Sequence, residues 1–106
     1  MADFSINEMI IMQKELQEAY QGALNNENIS FENVRSKFLW MIGEVGEAVE
    51  LLKKNEIDML FSDTKLRATF IEELSDVLMY YIDILLCLDI SADELKNIYT
   101  KKKIKN

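Results

Sequence analysis

The sequence contains no histidine and only one cysteine, Cys87, among its 106 residues. The absence of histidine excludes Ser-His-Asp and Cys-His catalysis, histidine metal ligation and a histidine-based pH switch. A single cysteine forms neither an internal disulfide nor a cysteine-based zinc site, and its position in an apolar run predicts a buried thiol. Any chemistry must therefore rest on carboxylates, lysines, arginines, hydroxyl groups or a metal ion.

Proline is also absent, and glycine occurs at only three positions. Apolar residues make up 49% of the chain and charged residues 29%, a balance typical of a folded globular domain. No segment shows the alternation of apolar and polar residues that is typical of a β-strand. No apolar run is long enough to cross a bilayer, and the N-terminus lacks the basic start and long apolar core of a signal peptide. We expect one cytoplasmic, all-α domain over residues 1–106.

The formal net charge is −7. A uniformly acidic domain repels nucleic-acid phosphates, so a nucleic-acid partner is not expected. One cluster at the C-terminal end has the opposite sign, and it is either a solvated tail or a source of positive charge for a site. Its members are Lys101, Lys102, Lys103 and Lys105.

Apolar periodicity predicts four helices and hence a four-helix bundle. Capping-box patterns at Ser5–Glu8 and Ser91–Glu94 mark two helix starts, and Ser30 is a candidate cap for a third. The predicted helices begin at Ser5 and fade near residues 22–30, span residues 31–54, span residues 64–88, and begin at Ser91.

The third predicted helix contains "DVLMYYIDILLCL", which is apolar almost all round. A helix of this kind is buried on more than one side. This favours assembly of the small domain into a homodimer or homotetramer, and the alternative is a central helix in a monomer.

Acidic residues interrupt the apolar faces of the second and third helices. At about 100° per residue, Trp40 and Leu51 lie within about 40° of Glu44, and Glu47 lies about 60° from it. On the third helix, apolar residues including Tyr80 likewise surround Glu73. Asp76 lies at the edge of that stripe. Each helix therefore has one acid-x-x-acid pair, with one member inside the apolar face.

A buried carboxylate must raise its pKa or find a positive partner. Arg35, Lys37 and Arg67 offer partial neutralisation. The alternative is that the two acid pairs face each other and share divalent cations, for which Mg²⁺ is suited and Mn²⁺ is a possible substitute. A solvated acidic face is the competing interpretation.

Other residues near these pairs have less specific interpretations. Glu50 and Glu72 are expected to be peripheral. Asp83 is expected to face solvent or to support the site from behind. Gly43 and Gly46 cost helix stability, and close helix packing or local bending, with packing preferred, is favoured over close approach of another helix or a ligand as a functional feature.

The segments "GEVGEAVELL" and "EELSDVLMYYIDIL" resemble the MazG-like, all-α nucleoside triphosphate pyrophosphohydrolase superfamily. That superfamily includes dimeric dUTPases and phosphoribosyl-ATP pyrophosphohydrolases. The resemblance covers roughly Phe31 to the C-terminus. It is carried by an ExxE pair, Glu44 and Glu47, and an ExxD pair, Glu73 and Asp76.

The resemblance implies an activity. Family members use the four acids to hold Mg²⁺ against a nucleotide triphosphate while water attacks, which releases a nucleoside monophosphate and pyrophosphate. The implied metal ligands and catalytic residues are Glu44, Glu47, Glu73 and Asp76.

The resemblance and the helix faces also indicate substrate contacts. Lys102 and Asn106 match a Lys-x-x-x-Asn segment of the family, and Lys102 is the candidate phosphate contact, with a solvated lysine as the alternative. Lys37, like the neighbouring Arg35, is a weaker phosphate candidate. Trp40 and Tyr80 lie on the same stripes as the acids, where they either pack on a base or belong to the core.

The competing function is a non-catalytic helical module that binds another protein, or one that binds nucleotides without hydrolysing them. Such a module would use the same bundle and the acidic surface.

Overall fold

The computed structural model of the chain describes residues 3–24 and 30–105. Within these ranges all regular structure is helical, so the predicted all-α class is confirmed. The four predicted helices are present and a fifth, short helix lies between the second and third. The elements are α1 (Ile6–Leu24), a 3₁₀ turn (Phe31–Asn33), α2 (Val34–Lys54), α3 (Met59–Ser62), α4 (Thr64–Cys87) and α5 (Ala92–Lys105).

The predicted capping box at Ser91 is complete, and at Ser5 the serine side chain caps the helix as predicted while Glu8 accepts from the Ser5 hydroxyl instead of its backbone N–H. The backbone N–H of Glu8 donates to Ser5 Oγ at 3.1 Å, and the Ser5 hydroxyl donates to Glu8 Oε1 at 3.3 Å. The Glu94 N–H donates to Ser91 Oγ at 3.1 Å, and the Ser91 N–H donates to Glu94 Oε2 at 3.2 Å. These bonds satisfy backbone donors that have no partner within the helix, which fixes where α1 and α5 begin.

The start of α2 differs from the prediction. Ser30 has extended backbone angles, and its side chain makes no capping hydrogen bond. Its carbonyl instead accepts the N–H of Asn33 at 3.0 Å, which forms the 3₁₀ turn ahead of α2. Ser30 as a side-chain cap is therefore wrong, because a backbone carbonyl begins the turn.

The start of α4 has a cap that the sequence reasoning missed. Asp63 Oδ1 accepts the backbone N–H groups of Lys65 and Leu66, both at 3.1 Å. A carboxylate at this position also interacts favourably with the positive end of the helix dipole. Asp63 therefore separates α4 from the four-residue helix α3.

The end of α4 is closed by a turn of the Schellman type. The Ile90 N–H donates to the Leu85 carbonyl at 2.8 Å, and the Asp89 N–H donates to the Leu86 carbonyl at 3.2 Å. Asp89 has a φ of 52°, the left-handed conformation that this turn requires and that glycine usually supplies. An aspartate therefore adopts a strained backbone conformation before α5.

The chain divides into two compact units. The hairpin unit is Arg35–Tyr81, and the flanking unit consists of the residues before Arg35 with those after Tyr81. In the flanking unit α1 packs against α5, and Cys87 is buried as predicted. No helix among the described residues is long and apolar enough to cross a membrane.

Asp83 also lies in the flanking unit, and its position corrects a prediction. Only 2% of its surface is exposed, although it was expected to face solvent or support the acidic site. The amide of Gln17, which is 6% exposed, donates to both of its carboxylate oxygens at 3.2 Å. The face of α4 that carries Asp83 is thus buried against α1.

Candidate metal centre

The two helices that carry the acid pairs lie side by side in the hairpin unit. Near the start of α2, the Trp40 ring lies 6.0 Å from the ring of Tyr80 on α4, with an angle of 54° between the planes. Further along α2, Glu47 contacts Glu73, which precedes Tyr80 in the chain. Residues later in α2 thus contact residues earlier in α4, so the two helices are antiparallel.

This arrangement brings three of the four predicted acids together. Glu44, Glu47 and Glu73 each offer a carboxylate oxygen, and these oxygens all lie within 4.8 Å of one another. Glu44 and Glu73 are half-buried, whereas Glu47 is exposed. We call these three side chains the glutamate cluster. Two of its carboxylates are therefore partly shielded from solvent, and the third is open to it.

Two oxygens of the glutamate cluster have no hydrogen-bond partner. Glu44 Oε2 and Glu73 Oε2 are both shielded from solvent, and neither has a partner among the described residues. A shielded carboxylate oxygen without a donor is costly, and a bound ion is one of the few ways to satisfy it. The observation therefore points to a cation as the missing partner.

The surroundings of Glu44 and Glu73 raise the pKa of both carboxyl groups. A hydrogen bond with Glu47, then burial, then the negative charges of Glu47 and Asp76 raise the pKa of Glu44 from 4.5 to about 7. A hydrogen bond with Glu47, burial and the charge of Glu47 likewise raise the pKa of Glu73. Ionising neighbouring carboxylates together costs free energy, and a bound cation would offset that cost.

Asp76 has a different position from the other three acids. It is half-buried, and its negative charge contributes to the raised pKa values of Glu44 and Glu73. Its oxygens do not belong to the group that lies within 4.8 Å. The described structure thus places Asp76 as a nearby charge, and its role as a direct metal ligand stays a prediction.

The peripheral acids lie where they were expected. Glu50 is exposed and forms a 3.5 Å ion pair with Lys53 one turn along α2. Glu72 is exposed as well. Arg67, in contrast, does not neutralise the acids: its guanidinium donates to the Leu60 carbonyl at 3.1 Å and lies 5.7 Å from the centre of the Phe61 ring.

An aromatic pair lies one helical turn from the acids. Trp40 is 52% exposed and precedes Glu44 by one turn, and Tyr80, which is half-buried, follows Asp76 by one turn. The Lys37 ammonium lies 5.5 Å from the centre of the Trp40 ring. The exposed part of the indole therefore offers a flat apolar surface beside the glutamate cluster.

The predicted phosphate contacts lie in different places. Lys37 is 4% exposed, and its ammonium already interacts within the protein. Lys102 is exposed on α5 in the flanking unit, and Arg35 is exposed at the start of α2. Asn106 lies outside the described residues. Substrate contacts by these residues stay predictions.

The glycines of α2 do not mark a packed contact. A Cβ atom built at Gly43 or at Gly46 meets no atom of the described residues within 4 Å. The prediction of close packing at these glycines is therefore wrong for the part of the chain that the structure describes, and local bending stays a prediction.

The chemistry of the glutamate cluster fits a hard divalent cation. Its donors are carboxylate oxygens only, which Mg²⁺ and Mn²⁺ accept readily, while zinc sites favour nitrogen and sulfur. Glu44, Glu47 and Glu73 would supply these oxygens, and the two shielded Oε2 atoms would gain the partner that they lack. The residues present thus fit the metal that the sequence predicts.

Comparison with known proteins adds no assignment. No known protein family matches the chain, and no curated protein or solved structure shows a significant similarity to it. Any functional proposal therefore depends on the residues themselves and on the resemblance of the two acid motifs to those of the MazG-like superfamily.

Proposed function

We propose that the protein is a Mg²⁺-dependent nucleoside triphosphate pyrophosphohydrolase, which converts an NTP or dNTP to the nucleoside monophosphate and pyrophosphate. The observation that carries this proposal is the convergence of Glu44, Glu47 and Glu73, two of which have shielded oxygens without partners. The reaction class is taken from the resemblance of the ExxE and ExxD motifs to those of the MazG-like superfamily.

In this proposal Glu44, Glu47 and Glu73 would hold the divalent cation, and Asp76 would add negative charge beside it. A cation held there would supply positive charge beside the phosphates and the leaving pyrophosphate. The carboxylates alone would repel a triphosphate, and the cation would offset this repulsion. This explains how an acidic chain binds an anionic substrate.

Side chains of the protein then position the attacking water and the nucleobase of the substrate. Glu47 is the exposed member of the cluster, so it is the carboxylate best placed to accept a proton from a solvent water. The water oxygen bonds to the α-phosphorus, and the bond from that phosphorus to its bridging oxygen breaks, so that pyrophosphate leaves. Trp40 stacks on the base through its exposed face, with Tyr80 behind it.

The deciding experiment is an assay of pyrophosphate release from a panel of NTPs and dNTPs with Mg²⁺. Release from at least one nucleotide is expected, together with its loss in EDTA. Folded protein that releases pyrophosphate from none of them would overturn the proposal. The products also discriminate: orthophosphate in place of pyrophosphate would show a different bond cleaved.

Matched variants test the residues. Glu47→Gln and Glu73→Gln are each expected to lower kcat by at least about 100-fold, since each removes a charge that the cation needs. The controls are Glu50→Gln on α2 and Glu72→Gln on α4, both exposed acids next to the site, which should retain activity. Full activity in Glu47→Gln and Glu73→Gln would refute the assignment.

A non-hydrolysing nucleotide-binding or interaction module remains the competing function. Thermal unfolding with Mg²⁺ and each nucleotide separates these outcomes, because a ligand that binds the folded state raises Tm. A nucleotide-dependent rise without turnover would favour the binding module. No rise with any nucleotide would favour the interaction module.

A further inference from the structure

The flanking unit contains a cavity that takes no part in the glutamate cluster. It is lined by residues of α1 between Asn7 and Glu18 and by residues of the α4–α5 turn between Leu85 and Ala92, and we call it the turn cavity. Its volume is about 370 Å³. Small-molecule sites in proteins measure about 300–1,000 Å³, so the turn cavity has room for a small ligand.

The inner surface of the turn cavity is apolar. Ile10 of α1 lies there together with Leu85, Leu86 and Ile90, and all four are buried or half-buried. The Ile90 N–H donates to the Leu85 carbonyl at 2.8 Å, in a type of turn whose end positions commonly carry apolar side chains in contact. Because the backbone fixes this surface before a ligand arrives, binding loses little conformational freedom of the protein.

Charged side chains of both signs lie at the opening of the turn cavity. Lys14, Glu18 and Asp89 line it, and all three are exposed to solvent. On α1, Asn7, Lys14 and Glu18 lie within about 40° of one another around the helix axis. Among the described residues no ion pair joins Lys14 to Glu18, although they are one turn apart. The turn cavity therefore offers one ammonium group and two carboxylates to a ligand.

The positive charge of the turn cavity comes from Lys14 and not from the start of α5. Ser91 and Ala92 also line the cavity, but the Ser91 N–H already donates to Glu94 Oε2 and the Glu94 N–H donates to Ser91 Oγ. The Glu94 carboxylate also offsets the positive end of the helix dipole. Recognition of an anionic group therefore falls to Lys14, with the side-chain amide of Asn7 as a second donor.

Asp89 presents a carboxylate at a position where the backbone favours glycine. Its φ of 52° is left-handed, and glycine adopts this conformation without the steric cost of a Cβ atom. The Asp89 carboxylate makes no hydrogen bond or ion pair with another described residue, so no contact within this part of the chain accounts for the aspartate. A ligand cation would give this carboxylate a partner, as it would the carboxylate of Glu18.

We propose that the turn cavity binds an aliphatic α-amino acid. The carboxylate of the ligand accepts hydrogen bonds from Lys14, and its ammonium group donates to Glu18 and Asp89. Its aliphatic side chain lies on the apolar surface beside Ile10 and Leu85. Lys14 and Glu18 are separated by about 6 Å along the axis of α1, a spacing that suits the two adjacent charged groups of one amino acid.

Other classes of ligand match the charges less well. A fatty acid would bring its carboxylate close to those of Glu18 and Asp89, and an alkylamine would bring its ammonium group close to that of Lys14. A nucleotide would add several negative charges where carboxylates already outnumber ammonium groups. An amino acid has no net charge and pairs with both signs. This inference does not rest on the proposed function, since neither a metal ion nor a nucleotide takes part in it.

The first test is a titration of the full, isotope-labelled chain with L-leucine, followed by NMR and calorimetry. Saturable binding with a Kd below about 1 mM is expected, with amide shifts concentrated at Ile10 and across Leu85–Ala92. Isocaproate lacks the ammonium group of leucine and isopentylamine lacks its carboxylate, so each should bind at least about tenfold more weakly. Equal binding of the three probes, shifts elsewhere, or no binding up to about 10 mM would overturn the inference.

Variants of the charged residues give the second test. Lys14→Gln and Asp89→Asn should each weaken leucine binding at least about tenfold. The controls are Lys96→Gln on α5 and Glu15→Gln on α1, exposed residues that do not line the cavity, and both should bind as wild type does. Asp89→Gly suits the left-handed turn while removing the carboxylate, so it keeps the test decisive if another variant folds poorly. Wild-type affinity in Asp89→Gly and Lys14→Gln would refute the proposal.

Discussion

The side-chain amide of Gln17 donates to both carboxylate oxygens of Asp83 at 3.2 Å, across 66 residues of sequence. Both residues are buried, and the Gln17 Oε1 atom has no hydrogen-bond partner among the described residues. A shielded carboxylate depends on its donors, so the orientation of this amide is set by the charge of Asp83. The pair ties α1 to the last turns of α4.

Replacing Gln17 by leucine is expected to destabilise the protein by about 2 kcal/mol, because a buried carboxylate loses charge-assisted hydrogen bonds. Urea unfolding measures the change. Glu18→Gln is the control, since Glu18 is exposed on the same helix and should change stability by less than about 0.5 kcal/mol. An unchanged midpoint in Gln17→Leu would mean that the other contacts of Asp83 suffice.

The glutamate cluster predicts that metal-free protein loses stability as pH rises. The folded-state pKa of Glu44 is raised from 4.5 to about 7, so between these values the folded state binds more protons than the unfolded state. The free energy of unfolding therefore falls as pH rises from about 4.5 to about 7, after which this contribution is fully lost.

Urea unfolding in EDTA across that pH window tests this prediction. Glu44→Gln should reduce the fall in stability, whereas Glu72→Gln, an exposed acid on α4, should leave it unchanged. Added Mg²⁺ should oppose the fall, because a cation that binds ionised carboxylates stabilises the folded state. A pH profile identical in wild type and Glu44→Gln would contradict the raised pKa of Glu44.

Trp40 is the only tryptophan in the chain, so its fluorescence reports on the site. A nucleotide added with Mg²⁺ is expected to quench this emission if the base stacks on the indole. Trp40→Ala should raise KM about tenfold, in line with the loss of roughly 1.4 kcal/mol of stacking, while Trp40→Phe should raise it less. Tyr99→Ala removes an exposed ring of α5 and serves as the control. An unchanged KM in Trp40→Ala would exclude a stacking role.

Asp89 offers a test of the backbone independent of function. Its φ of 52° is unfavourable for a residue with a Cβ atom, so Asp89→Gly should stabilise the protein by about 0.5 kcal/mol after the added entropy of the unfolded chain is considered. Asp89→Ala should destabilise it. Urea unfolding of the two variants gives the comparison, and a glycine variant less stable than wild type would show that the Asp89 side chain makes a stabilising contact.

Local rules predicted much of this fold. The serine caps at Ser5 and Ser91 follow from patterns within a few residues, and the structure has them. The facing of the acid pairs also follows, because helical geometry places Glu44 and Glu73 within their apolar stripes. In each case the predicted feature depends on residues of one helix or of two neighbouring helices.

The failures have a different physical origin. Asp83 seemed to face solvent because its angle was measured from the stripe around Glu73, whereas α4 is buried on a second side by α1. The signal for this was present in α1, where Gln13 and Gln17 lie one turn apart and are both buried. At Ser30 the backbone carbonyl accepts the Asn33 N–H, whereas at Asp63 the side chain accepts two backbone N–H groups, and residue spacing alone does not distinguish these two kinds of acceptor.

The sequence separation of these contacts bears on the order in which they form. Glu47 and Glu73 are 26 residues apart and joined by one hairpin connection, whereas Gln17 and Asp83 are 66 residues apart. Closing the shorter loop loses less chain entropy and is generally faster. We therefore expect the carboxylates to assemble early in folding, before α1 docks, so that a divalent cation present during refolding speeds the first phase, which stopped-flow fluorescence of Trp40 would record.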